Sequence, residues 1–350
     1  MRIQRHDLAR LLAATTKVVE SRNTIPILST VRLVADGGRL TATATDLDIE
    51  VTGSAPAEGA LSVCIDARLL TGIVNKLAGD MVEITTSDNT ATIKAGRSRF
   101  SLPTLPIDDF PTMATGDWSA EFEADLSALF APCHFAVSTE ETRYYLNGIY
   151  LHVLDGQLTA VATDGHRLAR NYGPEHGGGF DGIIIPRKTV GIVPKGAVSV
   201  RLSATKIQFV SGDTVITSKL IDGTFPDYQR VIPSGNDKLV TFDVPAMKQA
   251  AERVSVVSSE RGRAVKLTFA DNQATLEVSN PDSGSATEEI AIAYDGEPIE
   301  IGFNASYLTE LVAQFPAGDV TMALADSGSP TLFTSKAAEG LLCVLMPMRV

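Results

Sequence analysis

The stretch DGGRLTATATD, residues 36–46, returns as DGQLTAVATD at residues 155–164 and, more loosely, as DNQATLEVSN at residues 271–280. Its opening aspartates, Asp36, Asp155 and Asp271, stand 119 and 116 residues apart. Each copy is a turn signal followed by a β-branched run, the pattern of a hairpin entering a strand. Other landmarks keep the same step. DLARLLAATTKVV from Asp7 is answered by DLSALFAPCHFAV from Asp125 and PAMKQAAERVSVV from Pro245. CIDARLLTGIV (64–74) is answered by IIPRKTVGIV (184–193) and IGFNASYLTELV (301–312), and DDFP ending at Pro111 by GTFP ending at Pro226. An ordered set of unrelated landmarks at one period predicts three copies of one domain, over 1–116, 117–234 and 235–350.

Each copy divides again, because DLARLL at Asp7 recurs as DARLLTG at Asp66. The half-unit reads strand, helix, then three strands. MRIQR alternates, and Asp7 is placed to cap a helix by accepting from its free first-turn amides. Leu8, Leu11, Leu12 and Val19 give that helix an apolar stripe. VRLVAD, RLTATAT and IEVTGS then alternate as strands between Gly and Asp turns. Helices are expected over 7–20, 66–78, 125–138, 187–195, 245–257 and 304–315, the fourth cut short by Pro194, which lacks a backbone donor. The class is α+β, with two helices packed on antiparallel sheets in each of three similar domains. A linear array of such units leaves raw strand edges, and pairing two copies head-to-tail into a ring removes them.

Composition narrows the function. The 350 residues are 44% hydrophobic and carry a formal net charge of -12. A field of that sign repels nucleic acid at long range, so any DNA role rests on a local basic surface or on topology. The six expected helices carry nine Lys and Arg against six acids. They are therefore candidates to line a mildly positive channel. Twelve helices spaced about 9 Å apart make a circle about 34 Å across. Allowing one helix diameter, the hole is roughly 24 Å wide, enough for a duplex.

Cys64, Cys133 and Cys343 form no CxxC pair and no disulfide framework, which fits a reducing cytoplasm. No signal-peptide core opens the chain and no apolar run reaches membrane-spanning length, so a soluble cytoplasmic protein is expected. The histidines, His6, His134, His152, His166 and His176, fit no HxH, HExxH or Cys-His pattern. No Walker loop or GxSxG occurs, and HGGG (176–179) without a nucleophile elbow is a glycine turn. VATDGHRLAR (161–170) packs Asp164, Gly165, His166 and Arg167 together, but alone it reads as a turn followed by a strand. LLCVLMPM (341–348) alone reads as a buried closing strand. No enzyme, metal or other cofactor is expected.

Eight segments, in order from Met1 to Val350, resemble the bacterial DNA polymerase III β sliding clamp family. They are RNTIPIL (22–28), GRSRFSLPTLPIDDFP (96–111), RYYLNG (143–148), VATDGHRLA (161–169), PRK (186–188), TSKLIDGTFPDYQRVIP (217–233), IGFNASY (301–307) and MPMR (346–349). The resemblance implies the DNA clamp (processivity) fold and a head-to-tail homodimer ring around duplex DNA. Such a ring is noncatalytic and tethers the DNA polymerase and clamp-loader subunits through short peptide motifs, with no membrane association. It implies a partner-peptide groove between the middle and C-terminal domains at Leu146, Thr163, Gly165, His166, Arg167, Leu168, Pro226, Arg230, Val231, Asn304, Tyr307, Val344, Met346, Pro347, Met348 and Arg349. Met and Leu suit an adaptable apolar pocket, and Arg and His suit a rim that holds a peptide carbonyl or carboxylate. The matching DNA positions are Arg22, Arg143, Tyr144, Tyr145, Arg187 and Lys188, contacts that carry no base code. For one of the two tyrosines the alternative is a place in a half-buried aromatic pair at the start of a strand, since adjacent strand residues face opposite ways. The dimer positions are Arg97, Arg99 and Phe100 on a terminal strand, facing Val256, Val257, Glu288 and Glu289. Gly262, Gly328 and Pro330 depart from the family's usual groove residues and imply a different partner preference. The alternative is a monomeric peptide-binding scaffold that never closes on DNA.

Overall fold

The computed structural model describes residues 1–114, 116–258 and 264–349. The same β-α-β-β-β unit occurs six times. The first is β1 (Arg2–Gln4), α1 (Arg5–Thr15), β2 (Thr30–Asp36), β3 (Arg39–Thr45) and β4 (Ile49–Pro56). The second is β5 (Leu61–Asp66), α2 (Ala67–Lys76), β6 (Met81–Ser87), β7 (Thr90–Ala95) and β8 (Ser98–Leu105). The third is β9 (Ala120–Ala124), α3 (Leu126–Phe130), β10 (Gly148–Leu154), β11 (Gln157–Thr163) and β12 (Arg167–Glu175). The fourth is β13 (Ile183–Pro186), α4 (Arg187–Val190), β14 (Val198–Leu202), β15 (Lys206–Ser211) and β16 (Thr214–Lys219). The fifth is β17 (Lys238–Asp243), α5 (Val244–Val254), β18 (Ala264–Ala270), β19 (Gln273–Asn280) and β20 (Gly284–Ala291). The sixth is β21 (Ile299–Asn304), α6 (Ala305–Val312), β22 (Asp319–Leu324), β23 (Thr331–Thr334) and β24 (Leu341–Leu345).

The repeated turn signals are two-residue hairpin loops. Gly37–Gly38, Asp155–Gly156 and Asp271–Asn272 all take positive φ, between 50° and 82°. That conformation matches the right-handed twist of the flanking strands and excludes most side chains. In the first copy the loop is the glycine pair, and Asp36 ends β2, accepting from Gly37 N at 2.9 Å. The aspartates therefore align one residue out of step.

The helices depart from their expected lengths for local reasons. Helix α1 starts at Arg5, two residues before Asp7, and its N-cap Gln4 makes no side-chain cap bond. Asp7 is thus not the cap; it lies in the first turn, 2.8 Å from the Arg10 guanidinium. Capping does occur at α2, α5 and α6, where Asp66, Asp243 and Asn304 accept from first-turn amides. The expected 125–138 helix stops at Phe130, because Pro132 disfavours helical geometry at the residue before it. The fourth ends at Val190, ahead of both Gly191 and Pro194.

The chain forms two compact units, Met1–Leu126 with Gly191–Leu220, and Ser127–Val190 with Ile221–Val350. The first holds a twelve-stranded antiparallel sheet, β1-β6-β7-β8-β5-β2-β3-β4-β16-β15-β14-β9. Leu8, Leu11 and Leu12 of α1 and Leu70 and Val74 of α2 join Val31, Leu33, Ile65 and Ile84 in its core. Gly53 on β4 lets α1 approach: a Cβ there would lie 2.7 Å from Leu11 Cδ1. The second unit holds an eight-stranded sheet, β13-β10-β11-β12-β24-β23-β22-β17, and a four-stranded sheet, β20-β19-β18-β21. Its helices α5 and α6 pack on each other.

The last strand of the first half-unit, β4, pairs with the last strand of the fourth, β16. The last strand of the third, β12, pairs likewise with that of the sixth, β24. Two last strands remain. β20 is the edge of its sheet. β8 pairs with β7 along its length but meets β5 only at Thr104 and Leu105. Among the described residues, 98–103 have an open ladder edge.

Candidate functional site

The turn joining β11 to β12 is built by its own side chains. Asp164 Oδ1 accepts from His166 N at 2.9 Å and Arg167 N at 3.0 Å. Thr163 Oγ1 accepts from Gly165 N at 3.1 Å and donates to the Arg167 carbonyl at 2.8 Å. Gly165 takes φ +88°, and a Cβ there would lie 2.6 Å from an Arg143 guanidinium nitrogen. The Oδ1 atom of the acid near the histidine therefore serves to shape the loop.

Beside this turn is an apolar cavity of about 250 Å3. Leu168 and Val344 face each other across the β12–β24 ladder and, with Leu146, form its buried floor. Thr163, Gly165, His166, Arg167, Pro226, Val231 and Met346 complete it, together with two residues absent from the sequence reading, Asp227 and Tyr228. Val231 is 52% exposed and Met346 41% exposed, so apolar surface continues to the mouth. Leaving that surface wet costs roughly 25 cal/mol per Å2, the driving force for taking an apolar side chain.

Arg167 departs from the expected rim role. Its side chain is 9% exposed, with Nε 3.1 Å from Asp164 and Nη1 2.6 Å from Glu310. Its guanidinium lies over the Tyr307 ring at 4.2 Å and the Phe135 ring at 5.0 Å. Two carboxylates and two ring faces hold the cation in place. His166 is exposed, 6.2 Å from the Tyr307 ring, and its carbonyl accepts from Met346 N at 2.9 Å.

The remaining expected groove residues fall elsewhere in the same unit. Tyr307 lines a polar cavity of about 380 Å3 with His166, Arg167, Glu310, His134 and Arg187. Burial, then the Arg187 charge, holds the His134 imidazole below its ordinary pKa. Pro347, Met348 and Arg349 line a third cavity of about 620 Å3 with Glu300, Gly302 and Gly328. The Pro330 carbonyl accepts from Asn236 at 2.9 Å. Asn304 lines none of these three cavities, because its side chain caps α6. Arg230 is exposed, 3.7 Å from Asp227. Gly262 lies outside the described residues.

Of the expected DNA positions, Arg22 is exposed in a bend. Arg143 is ion-paired with Glu140 at 2.7 Å. Tyr144 and Tyr145 do not open a strand; they sit on a 3₁₀ turn, Glu141–Leu146, edge-to-face at 5.8 Å. Tyr144 is 53% exposed. Arg187 and Lys188 form the single turn of α4. At the expected joint, Arg97 lies in the β7–β8 turn rather than on the strand, while Arg99 and exposed Phe100 lie on β8. Val256 is 82% exposed on the 3₁₀ turn Ser255–Val257, with Val257 half-buried. Glu288 is paired with Arg253 of its own chain at 2.6 Å, and Glu289 is exposed.

The cysteines are free and buried. Burial pushes the Cys64 thiol up to about 11 and raises Cys133 and Cys343 as well, so none is a thiolate nucleophile at neutral pH. Among the described residues no group of three or more His, Cys, Asp or Glu could hold a metal. No helix among them is long and apolar enough to cross a membrane.

Six β-α-β-β-β half-units, four of them joined last strand to last strand, make up the three-domain DNA clamp fold, of α+β class. The chain belongs to the DNA polymerase III beta subunit family: its N-terminal, central and C-terminal domain models match residues 1–114, 123–227 and 229–349. The chain is 43% identical to the beta sliding clamp of Caulobacter vibrioides and 33% identical to that of Escherichia coli K12, covering 99% of each chain in both. A solved sliding clamp from Bartonella birtlesii, bound to griselimycin, superposes with a TM-score of 0.95 at 43% identity over 100% of both chains.

Proposed function

We propose that this protein acts as a sliding clamp: two copies close head-to-tail around duplex DNA, and a groove on each tethers the polymerase and other partners. The supporting observation is the strand rule of the repeat. Last strands of half-units three apart pair at β4–β16 and β12–β24, leaving β8 and β20 without such a partner. Continuing the rule pairs 98–102 of one copy, antiparallel, with 284–288 of the next, and two such joints close a ring. Phe100 and Val256, both exposed, supply apolar surface for the joint. Arg97, Arg99 and Glu289 supply charge, while Glu288 serves its own Arg253. The domains are those read from the sequence, 1–116, 117–234 and 235–350.

A net charge of -12 makes enclosure a better means of retention than grip. Arg22, Arg143, Tyr144, Tyr145, Arg187 and Lys188 then serve as weak, sequence-independent contacts. The apolar cavity bounded by Leu168, Val344, Val231 and Met346 takes the large apolar anchors of partner peptides, with Arg167 shaping its end. The protein has no catalytic part and works in the cytoplasm.

After loading onto circular duplex DNA, the protein should remain bound through a salt wash and leave when the circle is linearised. Equal retention on circle and line would defeat encirclement. The same groove is the proposed griselimycin site of this chain. Val231→Asp and Met346→Lys, both at exposed positions, should each weaken griselimycin at least tenfold in calorimetry.

A further inference from the structure

The apolar cavity has unlike walls. Leu168 and Val344 belong to strands fixed by ladder hydrogen bonds, whereas Pro226, Tyr228 and Val231 belong to a strandless segment that includes the 3₁₀ turn Tyr228–Val231. A backbone bond ties the start of that segment to β13, Ile221 N donating to the Ile184 carbonyl at 2.9 Å, while Ile232 N closes the 3₁₀ turn on the Gln229 carbonyl at 3.3 Å. Between them, Phe225 and Tyr228 are buried, with 9% and 5% of their surface exposed.

Both buried rings turn to one face of β10. Tyr150 and His152 are two residues apart on that strand, so their side chains share a face. The Tyr150 ring stacks on Phe225 at 4.9 Å with 4° between planes, and on His152 at 4.8 Å. His152 Nε2 lies 3.0 Å from the Tyr228 hydroxyl, with the rings edge-on at 5.7 Å. We infer that His152, braced by Tyr150, is a positioning residue for partner binding: it anchors Tyr228 and thereby sets the position of the strandless wall of the groove. This rests on the groove reading above.

The chemistry suits an anchor. A phenol can fill an apolar wall with its ring only if its hydroxyl finds a partner, since an unpaired buried hydroxyl is costly. Burial holds the His152 imidazole below its ordinary pKa, so at neutral pH one ring nitrogen is bare, and in the tautomer protonated on Nδ1 it is Nε2 that accepts the hydrogen bond of the phenol. The stack restricts the imidazole, and the hydrogen bond passes that restriction to the segment bearing Pro226 and Val231.

The test uses the full-length protein with griselimycin as probe. His152→Phe keeps a ring for the stack but removes the acceptor. It should weaken griselimycin about fivefold, the worth of one neutral hydrogen bond, and speed amide hydrogen exchange over 225–232. His152→Gln, whose amide can reach the phenol, should restore both to within about twofold of the parent. Tyr228→Phe should match His152→Phe, and the double variant should be no weaker than either single one. Unchanged affinity and exchange in His152→Phe, or additive losses in the double variant, would overturn the inference. A parent that fails to bind griselimycin, yet whose 225–232 exchange responds to His152→Phe, would sink the groove reading and leave the anchor standing.

Discussion

Asp164 shows how a residue constellation acquires its meaning. In TDGHR it accepts two backbone amides across the β11–β12 turn. The first repeat builds the same turn where β3 meets β4. Asp46 Oδ1 accepts from Asp48 N at 3.0 Å and Ile49 N at 2.7 Å, and Thr45 Oγ1 accepts from Leu47 N at 3.0 Å. The aspartate is thus a turn builder in both copies. Asp164→Ala and Asp46→Ala should each lower stability by about 1–2 kcal/mol in urea unfolding, the cost of unpaired amides. Leu47 holds φ +80° where the central repeat has Gly165 at +88°. It is 44% exposed, so its side chain offsets little of that strain. Leu47→Gly should therefore raise stability by about 0.5–1 kcal/mol. A loss instead would mean that the leucine packs against something. The sequence showed which residues cluster at 163–167. The hydrogen bonds that shape the turn are local, whereas the burial of Arg167 between Glu310, Tyr307 and Phe135 comes from a helix and a 3₁₀ turn distant in the chain.

At the level of elements, periodicity was a good guide to strands and a poorer one to helix ends. The half-unit order recurs six times as read, because alternation and two-residue turns are local signals. Helix starts depend on which side chain reaches a free amide. Asp66 and Asp243 cap α2 and α5 at 2.8 and 3.0 Å, while Asp7 sits inside its helix. Asp66→Ala and Asp243→Ala should each cost about 1 kcal/mol. Asp7→Ala should cost only a few tenths, through the helix dipole and its pair with Arg10. Equal losses at all three positions in thermal unfolding would contradict this assignment. The shortening at Pro132 was written in the sequence and outweighed there by the apolar spacing around it.

For the whole molecule, the consequence of the repeat is its unmatched edges. β20 and residues 98–103 of β8 present ladder groups unpaired within the described chain, and Val256 stands 82% exposed. Such edges invite pairing with another chain. Sedimentation at micromolar concentration should give twice the chain mass of 37.2 kDa. Phe100→Asp or Val256→Asp should shift it to the single-chain mass while leaving griselimycin affinity within twofold. A parent that stays monomeric would favour the non-encircling scaffold.

The amino-acid sequence determined by itself the threefold period, the six half-units and the strand order within each, whereas the groove positions entered only through the family resemblance. The period, the half-units and the strand order depend on spacing and on turn residues close together in the chain. The tertiary structure alone decided that β12 joins β24, that Asp227 and Tyr228 enter the cavity, and that Arg167 is held by Glu310. It also decided that His152 meets Tyr228. Each of these brings together residues dozens to nearly two hundred positions apart, and no local pattern of hydrophobicity or propensity encodes which distant edges and side chains share a surface.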